Sequence, residues 1–255
     1  MKKYFFKFLT AFLLMFAFAP IININAEHLY WYVKRNEEHK QPILDENFKF
    51  IEDWGGIYVD KKYANSEEKV IYLTFDVGYE NGNVAKIMDA MKEEDVVGSF
   101  FILDNVIKRN PELISRMVNE GHAVCNHTAN HPDLVGKSLE KCESEIRGLE
   151  NSYRELTGKE LSKYFRPPEG SFDKELLTRV QNMGYKTVFW SFAYADWDNN
   201  AQMGEEVALK KILDNLHNGE IMLLHPTSST NAKIMPTLIK ELKARGYRFA
   251  TLEEI

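Results

Sequence analysis

Val70-Ile71-Tyr72-Leu73-Thr74-Phe75-Asp76-Val77-Gly78 is a short apolar run that ends on a carboxylate and a glycine. It is too short for a helix and apolar at nearly every position, as a strand buried on both faces of a parallel sheet must be. Six further segments have the same character, at 98–103, 122–126, 164–167, 186–191, 220–225 and 248–252, so that with 70–76 the chain has seven predicted strands. The intervening segments carry helical periodicity. In 83–94 Val84, Ile87, Met88 and Met91 share one face, and 111–119 opens with Pro111 and is followed by Gly121. Helices are also predicted at 139–156, 174–183, 205–217 and 232–245, the last three ending just before Gly184, Gly219 and Gly246. Strand–helix alternation sustained to the C-terminus gives an α/β fold with a parallel sheet, and seven such units fit a closed or nearly closed barrel.

The N-terminus reads differently. Lys2 and Lys3 precede an apolar run over 8–19, closed by Pro20 and ending near Ala26, the order of a secretory signal. Residues 1–26 are therefore expected to be a signal peptide that takes the protein out across the membrane, with a retained anchor as the alternative. The apolar run is short for a membrane span, so none is expected after cleavage. Residues 27–66 are charged and rich in aromatics, among them Tyr30, Trp31, Tyr32, Trp54 and Tyr58. They are expected to form an extension packed on the barrel, with a candidate extra strand at 56–60. Residues 67–255 form one domain.

Charge and cysteine usage narrow the function. The chain has a net charge of −6, and loss of Lys2, Lys3 and Lys7 with the signal takes it to −9. Such a protein lacks the electrostatic footprint for nucleic acid or anionic lipid. Cys125 and Cys142 are too few for a disulfide framework, although a single bond between them is compatible with an oxidising location.

Polar residues that follow strands carry the chemistry, because strand C-termini of such a barrel open on one face. Asp76 ends its strand where a carboxylate can take a proton from water or bind a metal; the bland reading is a turn or capping Asp. His127 and His131 can meet one divalent ion if the chain turns between them, and Pro132 favours a turn over a long helix there. Thr128 rules out the metalloprotease pattern with Glu between the histidines. Arg166 precedes Pro167, Pro168 and Gly170, a stiff turn suited to a two-pronged carboxylate contact. His225 ends a buried strand, with a near-neutral pKa suited to general acid work, and Asp196 beside Trp197 offers a carboxylate to orient His225 or Arg166. Each residue has an ordinary structural reading alone; five motifs, each just after a predicted strand, together point to a hydrolase.

In order and chemistry these motifs resemble the polysaccharide deacetylase family, the NodB-homology domain of carbohydrate esterase family 4, over about 69–255. The match extends to its muramic-δ-lactam-forming subgroup through His39-Lys40-Gln41-Pro42, Gly78-Tyr79-Glu80-Asn81-Gly82 and Phe189-Trp190-Ser191-Phe192-Ala193. The resemblance implies a deformed (β/α) barrel and a set of roles: Asp76 as base, His225 as acid, Arg166 orienting Asp76, and His127 and His131 holding a divalent metal such as zinc. Leu223 and Trp197 would line an acetyl pocket, with Gly170 and Ser171 at the substrate and backbone N–H groups after Gly170 facing the oxyanion. It departs at Val77, where the family has a metal-binding Asp, and at Ala193, where it has an acid, so a weakly held ion is expected. The implied partner is peptidoglycan glycan, contacted through aromatics such as Trp54 or Trp197, in the cell wall or the forespore intermembrane space. N-acetylmuramic acid is the implied substrate, its freed amine closing on the lactyl carboxyl as a lactam. A chitin-type or N-acetylglucosamine deacetylase and a non-catalytic glycan-binding relative are the alternatives, and a monomer is expected.

Overall fold

The computed structural model describes residues 27–35 and 38–255. The expected signal at 1–26 lies outside the described residues. Among those described, no helix is long and apolar enough to cross a membrane.

The quoted stretch is the central strand, β2 (Lys69–Val77), after a short β1 (Leu29–Tyr30). Around β2 are β3 (Ser99–Ile102), β4 (Ala123–Asn126), β5 (Ser162–Phe165), β7 (Lys186–Thr187), β8 (Glu220–Leu224) and β9 (Tyr247–Phe249). They form one seven-stranded sheet in the order β7-β5-β4-β3-β2-β8, with β9 on the start of β2, and every pairing is parallel. The predicted strand at 186–191 is regular over two residues only. Beyond them the chain leaves β5, to which the Val188 N–H still bonds, and reaches β8 through Phe192↔Met222. That crossing joins the two edges of the sheet and explains both the lost regularity and the deformed barrel.

Alternation along β2 divides the interior. Ile71, Leu73, Phe75 and Val77 face the helices and form the large apolar core with Val84, Ile87, Met88 and Leu238, whereas Val70 and Tyr72 face the barrel interior with Phe101, Cys125 and Ile221. Asp76 follows Tyr72 and Thr74 on the interior face, which is why the carboxylate emerges inside the barrel mouth.

The helices are α1 (Asn83–Glu93), α2 (Asp104–Arg109), α3 (Pro111–Asn119), α4 (Leu139–Thr157), α5 (Lys174–Asn182), α6 (Glu205–Asp214) and α7 (Ser229–Ala244). The short α2 has too little sequence to show periodicity and was not predicted. Helix α7 starts three residues before its predicted position because the Ser228 side chain accepts from the Asn231 N–H and caps it. Cys125 lies on β4 and Cys142 on α4 in different apolar clusters; both are buried free thiols, not a disulfide.

Residues of the N-terminal segment pack against the barrel. Trp31, Phe48, Ile51, Tyr58 and Val59 form a cluster with Phe172, Leu177 and Phe189, and β1 pairs antiparallel with β6 (Ser171–Phe172). The candidate strand at 56–60 is only two isolated bridges, Ile57↔Val188 and Val59↔Glu220. The subgroup motif clamps the turn before β8: His39 Nδ1 bonds to the Leu216 carbonyl (2.8 Å), and Gln41 donates to the Asn218 (2.8 Å) and Asp60 (2.7 Å) carbonyls.

Candidate active site

A cleft of about 620 Å³ opens at the C-terminal ends of the strands, and Asp76, His127, His131, Gly170, Trp197, Leu223 and His225 all line it. The fold thus brings together seven of the ten residues singled out from the sequence. Arg166 and Asp196 lie directly behind the cleft wall. Ser171 does not reach it: the side chain is buried, donates to Asp133 Oδ1 (2.8 Å) and meets His28 Nε2 (2.7 Å).

Arg166 is fully buried and its guanidinium donates four hydrogen bonds. Nη1 donates to Asp76 Oδ1 (2.7 Å), Nη2 to Thr74 Oγ1 (2.9 Å) and the Phe189 carbonyl (3.3 Å), and Nε to the Val188 carbonyl (3.2 Å). The ring of Phe101 lies under it at 4.1 Å. The expected two-pronged contact is therefore one-pronged, because the deformed edge at 188–189 presents backbone carbonyls that need donors as much as the carboxylate does. Asp76 is left with one oxygen, Oδ2, facing His127 Nε2 at 3.5 Å. Burial acts to raise its pKa, but Arg166, His127 and His225 together outweigh it and hold the carboxyl below its ordinary value. Asp76 is thus ionised at neutral pH.

His127 and His131 lie on a turn that needs unusual backbone. Thr128 and His131 have φ of 72° and 59°, and the Thr128 hydroxyl accepts the His131 N–H at 2.8 Å. The imidazoles meet at 4.9 Å between centroids, so the predicted turn does bring them together. His127 Nδ1 lies 2.8 Å from the Arg166 carbonyl, which can only accept, so the proton sits on Nδ1 and Nε2 presents its lone pair. Burial lowers the His127 pKa to about 4, keeping the ring neutral. A neutral imidazole with its far nitrogen tied to a carbonyl is the usual state of a metal ligand. Among the described residues no group of three or more His, Cys, Asp or Glu is arranged to hold an ion. The donor set fits a divalent ion on two imidazoles with open positions for water or substrate, a loose site. Val77 is fully buried on the helix-facing side of β2 and does not line the cleft.

His225 is held from behind. Its Nδ1 lies 2.7 Å from Asp196 Oδ1, and its backbone N–H donates to Asp196 Oδ2 (2.8 Å), which also accepts from Asn231 Nδ2 (2.6 Å). This settles the partner of Asp196: it is His225, not Arg166. Burial pushes the His225 pKa down, yet the hydrogen bond and charge of Asp196, aided by Asp76, raise it above its ordinary value. The indole of Trp197 stands edge-on 6.0 Å from this ring and is 62% exposed, open to a sugar face. Trp54 packs against Phe50 in the extension cluster and is not part of the cleft.

The N–H groups after the stiff turn are spent locally, Gly170 on the Pro167 carbonyl (3.1 Å) and Ser171 on the Pro168 carbonyl. Neither faces the cleft as an oxyanion donor. Gly170 is required for another reason: at φ 66° a Cβ there would stand 2.8 Å from the Trp190 ring. The sequence reading gave no role to Glu169, Tyr194 and Thr227 of the cleft wall, or to Thr74 and Asn231 behind it. Tyr79, Trp190 and Ala193, which also line the cleft, entered only through the motifs that carry the resemblance.

Asp76 with Arg166 and Asp196 with His225 thus bring to one cleft a carboxylate whose ionised form is favoured and an imidazole whose protonated form is favoured, beside the neutral His127 and the ring of His131. Comparison with known proteins agrees with this chemistry. Residues 63–188 match the polysaccharide deacetylase family. The chain is 37% identical to the peptidoglycan-N-acetylmuramic acid deacetylase PdaA of Bacillus subtilis over 230 residues, 90% of this chain and 86% of that protein. It is 32% identical to a peptidoglycan-N-acetylglucosamine deacetylase of Bacillus cereus over 203 residues, 78% of this chain and 92% of the relative. The solved structure of B. subtilis PdaA, a family 4 carbohydrate esterase, superposes with a TM-score of 0.84, covering 89% of this chain and 96% of that one. The chain belongs to the polysaccharide deacetylase family, carbohydrate esterase family 4, and within it is similar to the peptidoglycan deacetylases.

Proposed function

We propose that the protein removes the N-acetyl group of N-acetylmuramic acid in peptidoglycan, outside the cytoplasmic membrane. The reaction is amide hydrolysis. The observation that carries it is the pairing, in one cleft, of a carboxylate bonded by the Arg166 guanidinium, which favours its ionised form, with an imidazole bonded by the Asp196 carboxylate, which favours its protonated form. Asp76 takes a proton from the water that attacks the acetamide carbonyl. Arg166 fixes the direction of the carboxylate and keeps it charged. As the carbonyl–nitrogen bond breaks, His225 gives its Nε2 proton to the leaving amine, and Asp196 stabilises the charged imidazole until then. His127 and His131 would hold a divalent ion, zinc or similar, which when bound polarises the carbonyl as a Lewis acid. Leu223, Tyr194 and Trp197 supply the apolar wall for the acetyl methyl.

The choice of muramic acid rests on the 37% identity to PdaA across nearly the whole chain, against 32% over a shorter stretch for the glucosamine-type relative. On this reading the freed amine can close on the lactyl carboxyl as muramic δ-lactam, which places the enzyme in spore-cortex formation, secreted to the wall or the forespore intermembrane space. Mass spectrometry of peptidoglycan digested after exposure to the protein tests it. Loss of acetyl from muramic acid units, reduced by chelator and restored by zinc, is expected; loss confined to glucosamine units would move the substrate to N-acetylglucosamine.

A further inference from the structure

Among the described residues the exposed Tyr, Trp and Phe rings are those of Tyr30, Tyr32, Tyr79 and Trp197. Tyr79 and Trp197 belong to the cleft wall. Tyr32 is held down, its hydroxyl donating to Asp45 Oδ2 (2.9 Å) and its ring set edge-on against Phe48. Tyr30 is 55% exposed, and its one ring contact among the described residues is with His28. Its position follows from strand alternation. Leu29 and Trp31 turn into the aromatic cluster, so His28 and Tyr30 turn the other way, onto the face of Ser171, the register partner of Tyr30. His28 Nε2 lies 2.7 Å from Ser171 Oγ and 3.2 Å from Asp133 Oδ2, and its ring stacks on Tyr30 at 4.8 Å, 19° from parallel. Both anchors adjoin cleft residues: Ser171 follows Gly170, whose carbonyl accepts the Trp31 N–H (2.9 Å), and Asp133 is two residues after His131. Tyr30 therefore stands on the strand next to the cleft edge, about 5 Å of backbone spacing away, and is braced from the barrel side.

We propose that Tyr30, braced by His28, is a distal glycan subsite: a sugar of the same strand, beyond the unit held in the cleft, lays its apolar face on the Tyr30 ring. The ligand class is a pyranose of the N-acetylhexosamine strand, recognised by ring stacking and not by charge. A pyranose presents C–H groups on its faces, and a flat ring fixed in advance offers them apolar contact at small cost in side-chain entropy. The N-terminal extension thereby takes part in substrate binding, and the enzyme favours a polymer over a single sugar. This rests on the deacetylase reading of the adjoining cleft.

The test compares two glycans, the methyl glycoside of N-acetylmuramic acid and the tetrasaccharide of two N-acetylglucosaminyl–N-acetylmuramyl repeats. The wild-type protein should act on the tetrasaccharide with the higher kcat/KM. Tyr30→Ala and Tyr30→Leu both lack the flat ring, and each should cut the tetrasaccharide-to-monosaccharide ratio about tenfold, mostly through KM. Tyr30→Phe keeps the ring and should keep the ratio. Calorimetric binding of the two glycans should show the same loss and the same retention without turnover. A ratio equal in wild type and either truncated variant, in rate or in binding, overturns the proposal, and so does a ratio that Tyr30→Phe loses. Acetate released from neither glycan would defeat the deacetylase reading, and the binding ratio would still decide the role of Tyr30.

Discussion

His225 is an acid only because of what stands behind it. Burial alone would make it a poor proton donor, and Asp196, bonded to both its ring and its backbone N–H, reverses that effect. The active form is the protonated one, so the rate should be lost as pH rises through the His225 pKa, which lies above 6.5. Asp196→Asn removes the charge and leaves the burial. The alkaline limb of the kcat/KM profile should then move to lower pH, and the neutral-pH rate should fall by as much as about a hundredfold. An alkaline limb that stays in place in Asp196→Asn would mean that another group delivers the proton. Residues of this kind were legible in the sequence because each is a polar side chain closing an apolar strand, as at Leu224-His225 and Phe75-Asp76. Their partners Thr74 and Asn231 were not, since only the folded chain shows which hydroxyl or amide stands behind which charge.

Among the elements, β2 decides most. Its alternation sends Asp76 into the barrel mouth and Val77 into the helix-facing core, where it packs with Ile71, Leu73 and Phe75. The resemblance made position 77 a vacant metal-ligand position, and the strand geometry corrects that. Val77→Asp should bury an unpaired carboxylate against the helices, lowering stability by several kcal/mol without tightening zinc binding. Thermal denaturation and zinc titration check it; a stable variant with tighter zinc would mean that the chain turns at Val77 to reach the ion. The strand at 186–191 shows the opposite failure of sequence reading. Its apolar run is real, but residues 188–192 serve β5, Ile57 and β8 in turn, so most of it is not a regular strand. A pattern of side chains cannot reveal that a segment changes partners.

At the scale of the whole molecule, the barrel and its extension are one structure. The Trp31 indole N–H donates to the Trp190 carbonyl at 2.9 Å and its ring stacks on Phe189 at 4.4 Å, directly behind the Gly170 turn. Trp31→Ala should cost about 3–5 kcal/mol of stability. It should also loosen the Glu169–Gly170 edge of the cleft, lowering kcat/KM by about tenfold or more; an unchanged melting temperature would separate extension from barrel. The aromatics of the extension suggested packing, while its antiparallel pairing with β6 and its hold on the turn before β8 depend on contacts distant in sequence. The central claim is that Asp76 is the base of an acetamide hydrolysis, and acetate release from purified peptidoglycan by zinc-loaded wild type and Asp76→Asn tests it most directly. The account predicts steady release by the wild type and a loss of about a hundredfold or more in the variant, with the fold verified by circular dichroism. Release by folded Asp76→Asn at a rate near that of the wild type would contradict it.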